Sequence, residues 1–238
     1  MKIQPSSPSA RFCALIPAYN LARTIGQAVL RTRMHLSRVV VIDDGSGDDT
    51  ARAAEGNGAA VIRIPVNRGK GWALRYGFRR ALEEPCEGVI TLDGDLQHDP
   101  DDIPGIIAAF DHTGADLVVG SRMGEAEDMP RVRYYTNRVG VFCISWAAGQ
   151  PLNDSQSGFR LYSRRVIESI PLRTTRYDTE TEIIIKAGLR GMRIVSAPIK
   201  TIYLEGEANA SHYRPFTDTF HISMVFLKSL FWRRGIRL

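Results

Sequence analysis

An α/β fold with a mostly parallel central sheet and helices on both faces is predicted by two features of the sequence. Short β-branched runs alternate with stretches of helical period, and the runs are apolar without alternation, Val39-Val40-Val41-Ile42 most clearly. A strand covered by helices on both sides loses the in-and-out pattern of a half-exposed one, so continuous apolarity marks a parallel core strand. The elements follow in order. A strand over 12–16 leads to a helix over 21–34, a strand over 38–43, a helix after Asp48 and a strand over 59–64. A helix over 71–82, a strand over 88–92, a helix after Pro100 and a strand over 115–119 continue the rhythm. Beyond about residue 120 it gives way to a long, partly aromatic helix over 134–148, a loop and a strand-like stretch over 158–162. A helix over 179–189, a strand over 193–197, a polar loop over 205–211 and a final helix over 216–233 follow.

With 238 residues, 44% of them hydrophobic and 24% charged, the chain can bury a full core but is short for two independent domains. One globular domain over 11–212 is expected, with a flexible polar lead over 1–10 and an amphipathic segment over 213–238. The lead contains Pro5 and Pro8 and no apolar core, so it does not read as a signal peptide. Cys13, Cys86 and Cys143 are odd in number, far apart and without paired spacing. That argues against a disulfide framework or a zinc site and fits a reducing cytoplasm. A net charge of +5 and a pI near 9.3 suit nucleic acid, anionic lipid or small phosphorylated ligands equally. Distribution decides: Arg131, Arg133 and Arg138, and Arg233, Arg234 and Arg237, cluster beside aromatic and apolar residues, which favours a membrane surface over nucleic acid.

The residues that carry chemistry sit at predicted strand ends. In Thr91-Leu92-Asp93-Gly94-Asp95-Leu96-Gln97-His98 a buried strand ends in two carboxylates separated by one glycine, at the edge where ligands bind in open α/β sheets. Two close carboxylates repel unless a cation sits between them, and hard oxygen ligands suit Mg²⁺ or Mn²⁺ bridging a diphosphate. Gly94 is read as leaving room for the nucleotide. The competing reading makes Asp95 a turn cap and Asp93 a solvated strand end. Asp43-Asp44-Gly45-Ser46 repeats the design, and an acid there can accept hydrogen bonds from ribose or base, although the string is equally an ordinary turn and helix cap. Ile16-Pro17-Ala18-Tyr19-Asn20 ends the first strand. Asn67-Arg68-Gly69-Lys70-Gly71 opens a helix whose first N–H groups can hold an anion, with Lys70 as an added point charge.

Taken with Gly120-Ser121-Arg122 and Asp154-Ser155-Gln156-Ser157-Gly158-Phe159-Arg160, these strings resemble family 2 glycosyltransferases, most of all the dolichyl-phosphate mannose synthase and polyprenyl-phosphate glycosyltransferase branch. The match runs in order from about Arg11 to His212. The resemblance implies a GT-A fold, inverting transfer from a nucleotide sugar of GDP-mannose or UDP-glucose type, and a divalent cation. Carried over by position, Pro17, Tyr19, Ile42 and Asp44 would line the nucleoside pocket, with Asn20 and Lys70 in the same donor site. Asp93 and Asp95 would hold metal and diphosphate, and Gln97 and Arg122 would orient the phosphates. Asp154 stands where the family has a catalytic-site carboxylate, as base or as aligner of the acceptor; Asp95 and Arg122 join it in the chemistry. Three departures stand out. Leu21 replaces a common acid, in Ala210-Ser211-His212-Tyr213-Arg214-Pro215 His212 takes the place of a lysine, and before that string Leu204 takes the place of an arginine, with Arg214 expected to restore the charge.

A polyprenyl-phosphate acceptor at a membrane is supported by the two late helices, which carry Phe142 and Trp146, and Phe216, Phe220, Phe226, Phe231 and Trp232, beside basic residues. Asp218, His221, Ser223 and Lys228 make the last helix too polar to cross a bilayer, so peripheral binding at the cytoplasmic face, with a membrane-protein partner, is expected. Packing on the sheet or a dimer contact would explain the same residues. Competing functions are a family 2 transferase that extends a saccharide and, from another class, a non-catalytic nucleotide-sugar or membrane-binding module. The usual phosphate loop of a sugar-nucleotide pyrophosphorylase is not found.

Overall fold

The structure, a computed structural model, describes residues 8–122, 131–175 and 178–200, together with Ile202, Phe226, Leu227 and Ser229. Its strands are β1 (Phe12–Ala18), β2 (Arg38–Asp43), β3 (Ala60–Arg63), β4 (Gly88–Thr91), β5 (Leu117–Ser121), β6 (Arg160–Ser163) and β7 (Ile194–Pro198). The helices are α1 (Pro8–Arg11), α2 (Ile25–Arg33), α3 (Thr50–Gly56), α4 (Lys70–Leu82), α5 (Ile103–Thr113), α6 (Arg131–Ala148), α7 (Arg164–Ser169) and α8 (Asp178–Leu189). All seven strands form one sheet in the order β3-β2-β1-β4-β6-β5-β7. Every neighbouring pair is parallel except those made by β6, which runs antiparallel to both β4 and β5.

The continuous apolar runs are explained by two cores. On one face Leu15, Val40 and Ile42 pack with Leu74 and Phe78 of α4 and Ile183 and Ile184 of α8. On the other, Ile16, Val39 and Val41 pack with Ile25 and Val29 of α2 and Ile103 and Ile106 of α5. Successive strand residues go to opposite faces, so both registers must be apolar.

Boundaries differ where local hydrogen bonding overrides pattern. The helix expected from Leu21 begins at Ile25, after a single turn in which the N–H groups of Thr24 and Ile25 both donate to the Leu21 carbonyl, at 3.1 and 2.9 Å. Pro8–Arg11 forms a helical turn where the sequence reads as flexible lead. Arg11 anchors it, donating to Asp111 at 2.7 Å and to Glu87 at 2.7 Å. α7 lies where no element was expected; its N-cap is Ser163, whose hydroxyl accepts from the Val166 N–H at 3.3 Å. The expected final helix over 216–233 lies outside the described residues, apart from Phe226, Leu227 and Ser229, which are helical.

α6 and α8 approach so closely that a Cβ added at Gly188 would lie 2.1 Å from the Ala148 carbonyl oxygen. Backbone cannot yield as a flexible side chain does, so Gly188→Ala should destabilise the fold by about 1–3 kcal/mol. A lowered urea midpoint is expected; an unchanged one would mean that the helices have room to part.

The topology also makes the crevice. β1 pairs with β2 as far as Ala18↔Asp43 but with β4 only as far as Leu15↔Thr91, so β1 and β4 separate at their C-terminal ends. Pro17, which has no N–H to donate, falls in the stretch beyond β4. Strand order changes direction at β1, and the opening between β1 and β4 is therefore the switch point at which open α/β sheets bind ligands.

Candidate functional site

Asp93 and Asp95 follow β4 into this crevice. The turn is tight: Leu96 has φ 62°, and Asp95 Oδ1 accepts the Gln97 N–H at 3.0 Å. The Gln97 carbonyl in turn accepts from the Ile202 N–H at 2.9 Å. The turn-cap reading of Asp95 is thus geometrically present. Gly94 also lies close against core side chains. A Cβ there would lie 2.9 Å from Ile25 Cδ1 and 3.0 Å from Leu21 Cδ1, so the glycine accommodates core packing beneath the loop.

Lys70, the first residue of α4, reaches Asp93 Oδ1 at 2.6 Å and Glu180 Oε1 of α8 at 3.3 Å. Gly158 is the wall of this slot: a Cβ on it would lie 2.4 Å from Asp93 Oδ2 and 2.8 Å from Lys70 Nζ. The Gly158 carbonyl accepts the Thr91 hydroxyl at 2.8 Å, which binds the wall to β4.

The two motifs that end β1 and β2 also make contacts within the protein. Asp44 is buried, and its carboxylate accepts the N–H groups of Arg68, at 2.9 Å, and Gly69, at 2.7 Å. Two N–H groups just before α4, those of Arg68 and Gly69, therefore hold a side-chain anion of the same chain. Asn20, at φ 53°, likewise serves the frame: its N–H donates to Ser46 Oγ at 2.9 Å and its side-chain oxygen accepts the Gly47 N–H at 2.9 Å. An amide side chain that bonds locally tolerates the left-handed region better than most residues. Ile42 is 0% exposed, its side chain within the core under α4. Pro17 and the half-buried Tyr19 lie at the crevice, at the end of β1.

Arg122 follows β5 and pairs with Asp154, Nε donating to Oδ2 at 3.0 Å. Asp154 Oδ1 also accepts the Gln156 N–H at 2.8 Å, so the carboxylate organises the turn over 154–158. Beneath that turn Arg160 is completely buried and donates to the carbonyls of Ser157 at 2.6 Å, Ser155 at 2.9 Å and Glu180 at 2.8 Å. One guanidinium thereby joins the turn to the start of α8. His212 and Arg214 lie outside the described residues.

Burial and neighbouring charges shift the ionisable groups beside the crevice. Burial alone would raise the pKa of Asp93, but the Lys70 ammonium outweighs it and holds the carboxyl below its ordinary value. Asp95, raised by burial and by the charge of Asp93, stands at about 6. Burial also raises Asp154, and Arg122 more than offsets it, so that this carboxyl too lies low. His98, buried beside them, is pushed down to about 4 by desolvation. Among the described residues no group of three or more His, Cys, Asp or Glu side chains is placed to hold a metal ion. Two carboxylates nevertheless fit Mg²⁺ or Mn²⁺, which commonly complete their shell with substrate phosphates and water. Lys70 already occupies a cation's position against Asp93.

Two half-open clefts among the described residues do not include these carboxylates. One of about 190 Å³ lies between α4, α7 and α8, and a polar one of about 400 Å³ lies beside Asp43, Ser46 and Asp48. The crevice is open among the described residues. Glu180 and the roles of Gly158 and Arg160 were not readable in the sequence. An acid in the first turn of a helix is ordinary, and nothing in its spacing points to Lys70.

Carboxylates, a lysine and an arginine gathered at the switch point of an α/β sheet define a protein that handles phosphorylated ligands. The family profile described as Glycosyl transferase family 2 matches residues 13–171, and the chain belongs to that family. An uncharacterized protein of Methanocaldococcus jannaschii is 35% identical over 201 residues, covering 80% of this chain and 81% of that protein. The UDP-N-acetylglucosamine–dolichyl-phosphate N-acetylglucosaminyltransferase of Methanococcus voltae is 32% identical over 214 residues, covering 80% and 85%. The undecaprenyl-phosphate mannosyltransferase of Micrococcus luteus is 32% identical over 217 residues, covering 84% and 88%. Among solved structures, glucosyl-3-phosphoglycerate synthase from Mycobacterium tuberculosis, in complex with Mn²⁺, UDP and glucosyl-3-phosphoglycerate, superposes with a TM-score of 0.65 at 23% identity. That superposition covers 96% of this chain and 81% of the other. The shared fold is GT-A, as the resemblance implied, and the protein is a glycosyltransferase.

Proposed function

We propose that the protein transfers a sugar from a nucleotide-diphosphate sugar to a polyprenyl-phosphate lipid, with inversion and with a divalent cation held by Asp93 and Asp95. The observation that carries this reading is the set Lys70, Asp93, Asp95, Arg122 and Asp154 assembled at the β1/β4 opening, in a chain whose named relatives act on dolichyl and undecaprenyl phosphate. Those relatives use different sugars, so the donor is defined here as a class, GDP-mannose and UDP-glucose being its types. Pro17 and Tyr19 receive the nucleoside, and Gln97 adds a polar contact on the diphosphate side.

Transfer builds positive charge at the anomeric carbon and negative charge on the departing diphosphate, so stabilising the leaving group dominates. When bound, Mg²⁺ or Mn²⁺ supplies Lewis-acid neutralisation of the diphosphate oxygens. Lys70 and Arg122 add fixed positive charge that needs no reorganisation as the bond breaks. The acceptor oxygen forms its bond to the anomeric carbon from the face opposite the diphosphate, which departs with the bonding pair. A phosphate monoester, with a second pKa near ~6, is mostly dianionic at neutral pH and has little need of a base. Asp154, low in pKa and engaged by Arg122 and the Gln156 N–H, accordingly aligns rather than deprotonates.

Peripheral contact with the cytoplasmic face of a membrane, through the lipid surface itself or a membrane-protein partner, is part of the proposal. Val139, Phe142 and Trp146 are 64%, 72% and 49% exposed at positions that share one face of α6. Among the described residues no helix is long and apolar enough to cross a bilayer. Incubation with Mg²⁺ or Mn²⁺, radiolabelled nucleotide sugars and a short polyprenyl phosphate in detergent should carry label into the organic phase. Donor binding without labelled lipid would replace the lipid acceptor with a saccharide; binding without any turnover of donor would favour a non-catalytic module.

A further inference from the structure

Lys70 stands between two carboxylates, and the surrounding backbone holds all three groups in place. Gly69, at φ 94°, fixes the start of α4, and its N–H is tied to Asp44 at 2.7 Å. Gly158 closes one side of the slot, with no room for a side chain. Glu180 is 5% exposed, and its own carbonyl is secured by Arg160 at 2.8 Å. Its Oε1 lies at ion-pair distance from Lys70, 3.3 Å, yet without hydrogen-bond geometry, whereas Asp93 holds the same ammonium at 2.6 Å. A buried carboxylate oxygen without a hydrogen bond is costly. Glu180 is therefore an acceptor whose donor has been drawn to the neighbouring carboxylate.

We infer that Lys70 is a resident cation that competes with the metal for Asp93, and that Glu180 is the positioning residue that takes up the ammonium when the metal binds. The inference rests on Asp93 and Asp95 as metal ligands. Without metal, the ammonium offsets the mutual repulsion of Asp93 and Asp95. A divalent ion on Asp93 repels the ammonium, whose flexible four-carbon stem lets it move along the slot towards Glu180. The charge stays in the site, beside the place where the donor's diphosphate would lie, instead of leaving for solvent. Glu180 thereby acts through Lys70, outside the metal's own ligand set.

Titration of the full chain with Mn²⁺, following free ion by electron paramagnetic resonance in the absence of nucleotide, tests this without reference to turnover. Lys70→Met should tighten Mn²⁺ binding by about tenfold or more, a modest figure for removing a unit charge a few ångströms from a divalent ion. Lys70→Arg, which keeps the charge, should not produce that gain. Glu180→Gln should weaken binding about tenfold, because the ammonium then loses the second carboxylate towards which it could move. In the Lys70→Met background Glu180→Gln should have little further effect. Unchanged or weaker Mn²⁺ binding by Lys70→Met would overturn the competition. An equal loss from Glu180→Gln in both backgrounds would overturn the positioning role, because Glu180 would then act on the ion directly. Mn²⁺ binding that is unaltered in Asp95→Ala would instead remove the metal-site reading on which the inference stands.

Discussion

Asp95→Ala is expected to lower sugar transfer on the order of 10³-fold or more, the loss that follows when a preorganised electrostatic group for the departing charge is removed. The fold should survive. The carboxylate accepts the Gln97 N–H, and losing such a cap costs about 1 kcal/mol. Initial rates and a thermal midpoint measured on the same preparation separate the two effects. Asp95→Asn sharpens the result, because an amide oxygen can still accept from Gln97 but carries no charge. If Asn is as inactive as Ala, the charge is what matters; if Asn restores activity, Asp95 is a turn cap and the metal reading fails.

Arg160→Met should destabilise the protein by about 3–5 kcal/mol, the usual consequence of removing one member of a fully buried polar or charged network. Three carbonyls, of Ser155, Ser157 and Glu180, lose their donor at once, and the buried surroundings admit no easy replacement. Urea unfolding gives the measurement. Arg165→Met is the control: its side chain is 63% exposed, and its pairing with Asp116 is of the surface kind, worth at most about 1 kcal/mol. Similar losses from the two variants would mean that the turn over 154–158 does not depend on the buried guanidinium. Because that turn also carries Asp154 and Gly158, whatever Arg160→Met protein remains folded should show depressed transfer.

Much of the architecture could be read along the chain because it rests on local signals. Val39-Val40-Val41-Ile42 is apolar at every position, and the two cores above and below β2 account for it. The αβ rhythm, the placing of Asp93 and Asp95 past a strand end and the family resemblance were all matters of order and spacing. The antiparallel direction of β6 had no such signal. A short apolar strand reads the same in either direction, and only its partners, β4 and β5, assign one.

The site divides along the same line. Which residues carry charge at the ends of β1, β2 and β4 was determined by the amino-acid sequence itself, since residue type and strand position are properties of a single stretch of chain. Which of those groups face the crevice and which are spent on one another depended on distances across the fold. That Asp44 accepts the Arg68 and Gly69 N–H groups, at 2.9 and 2.7 Å, could be seen only once β2 and the start of α4 lay side by side. That Gly94 also gives space to Ile25 and Leu21 is likewise a matter of packing between distant segments. Glu180 is separated from Lys70 by more than a hundred residues and became part of the site only when α8 was laid against α4. Charge and hydrogen-bonding capacity belong to the residue, but a hydrogen bond or an ion pair exists only at contact distance, and contact between distant segments is created by packing.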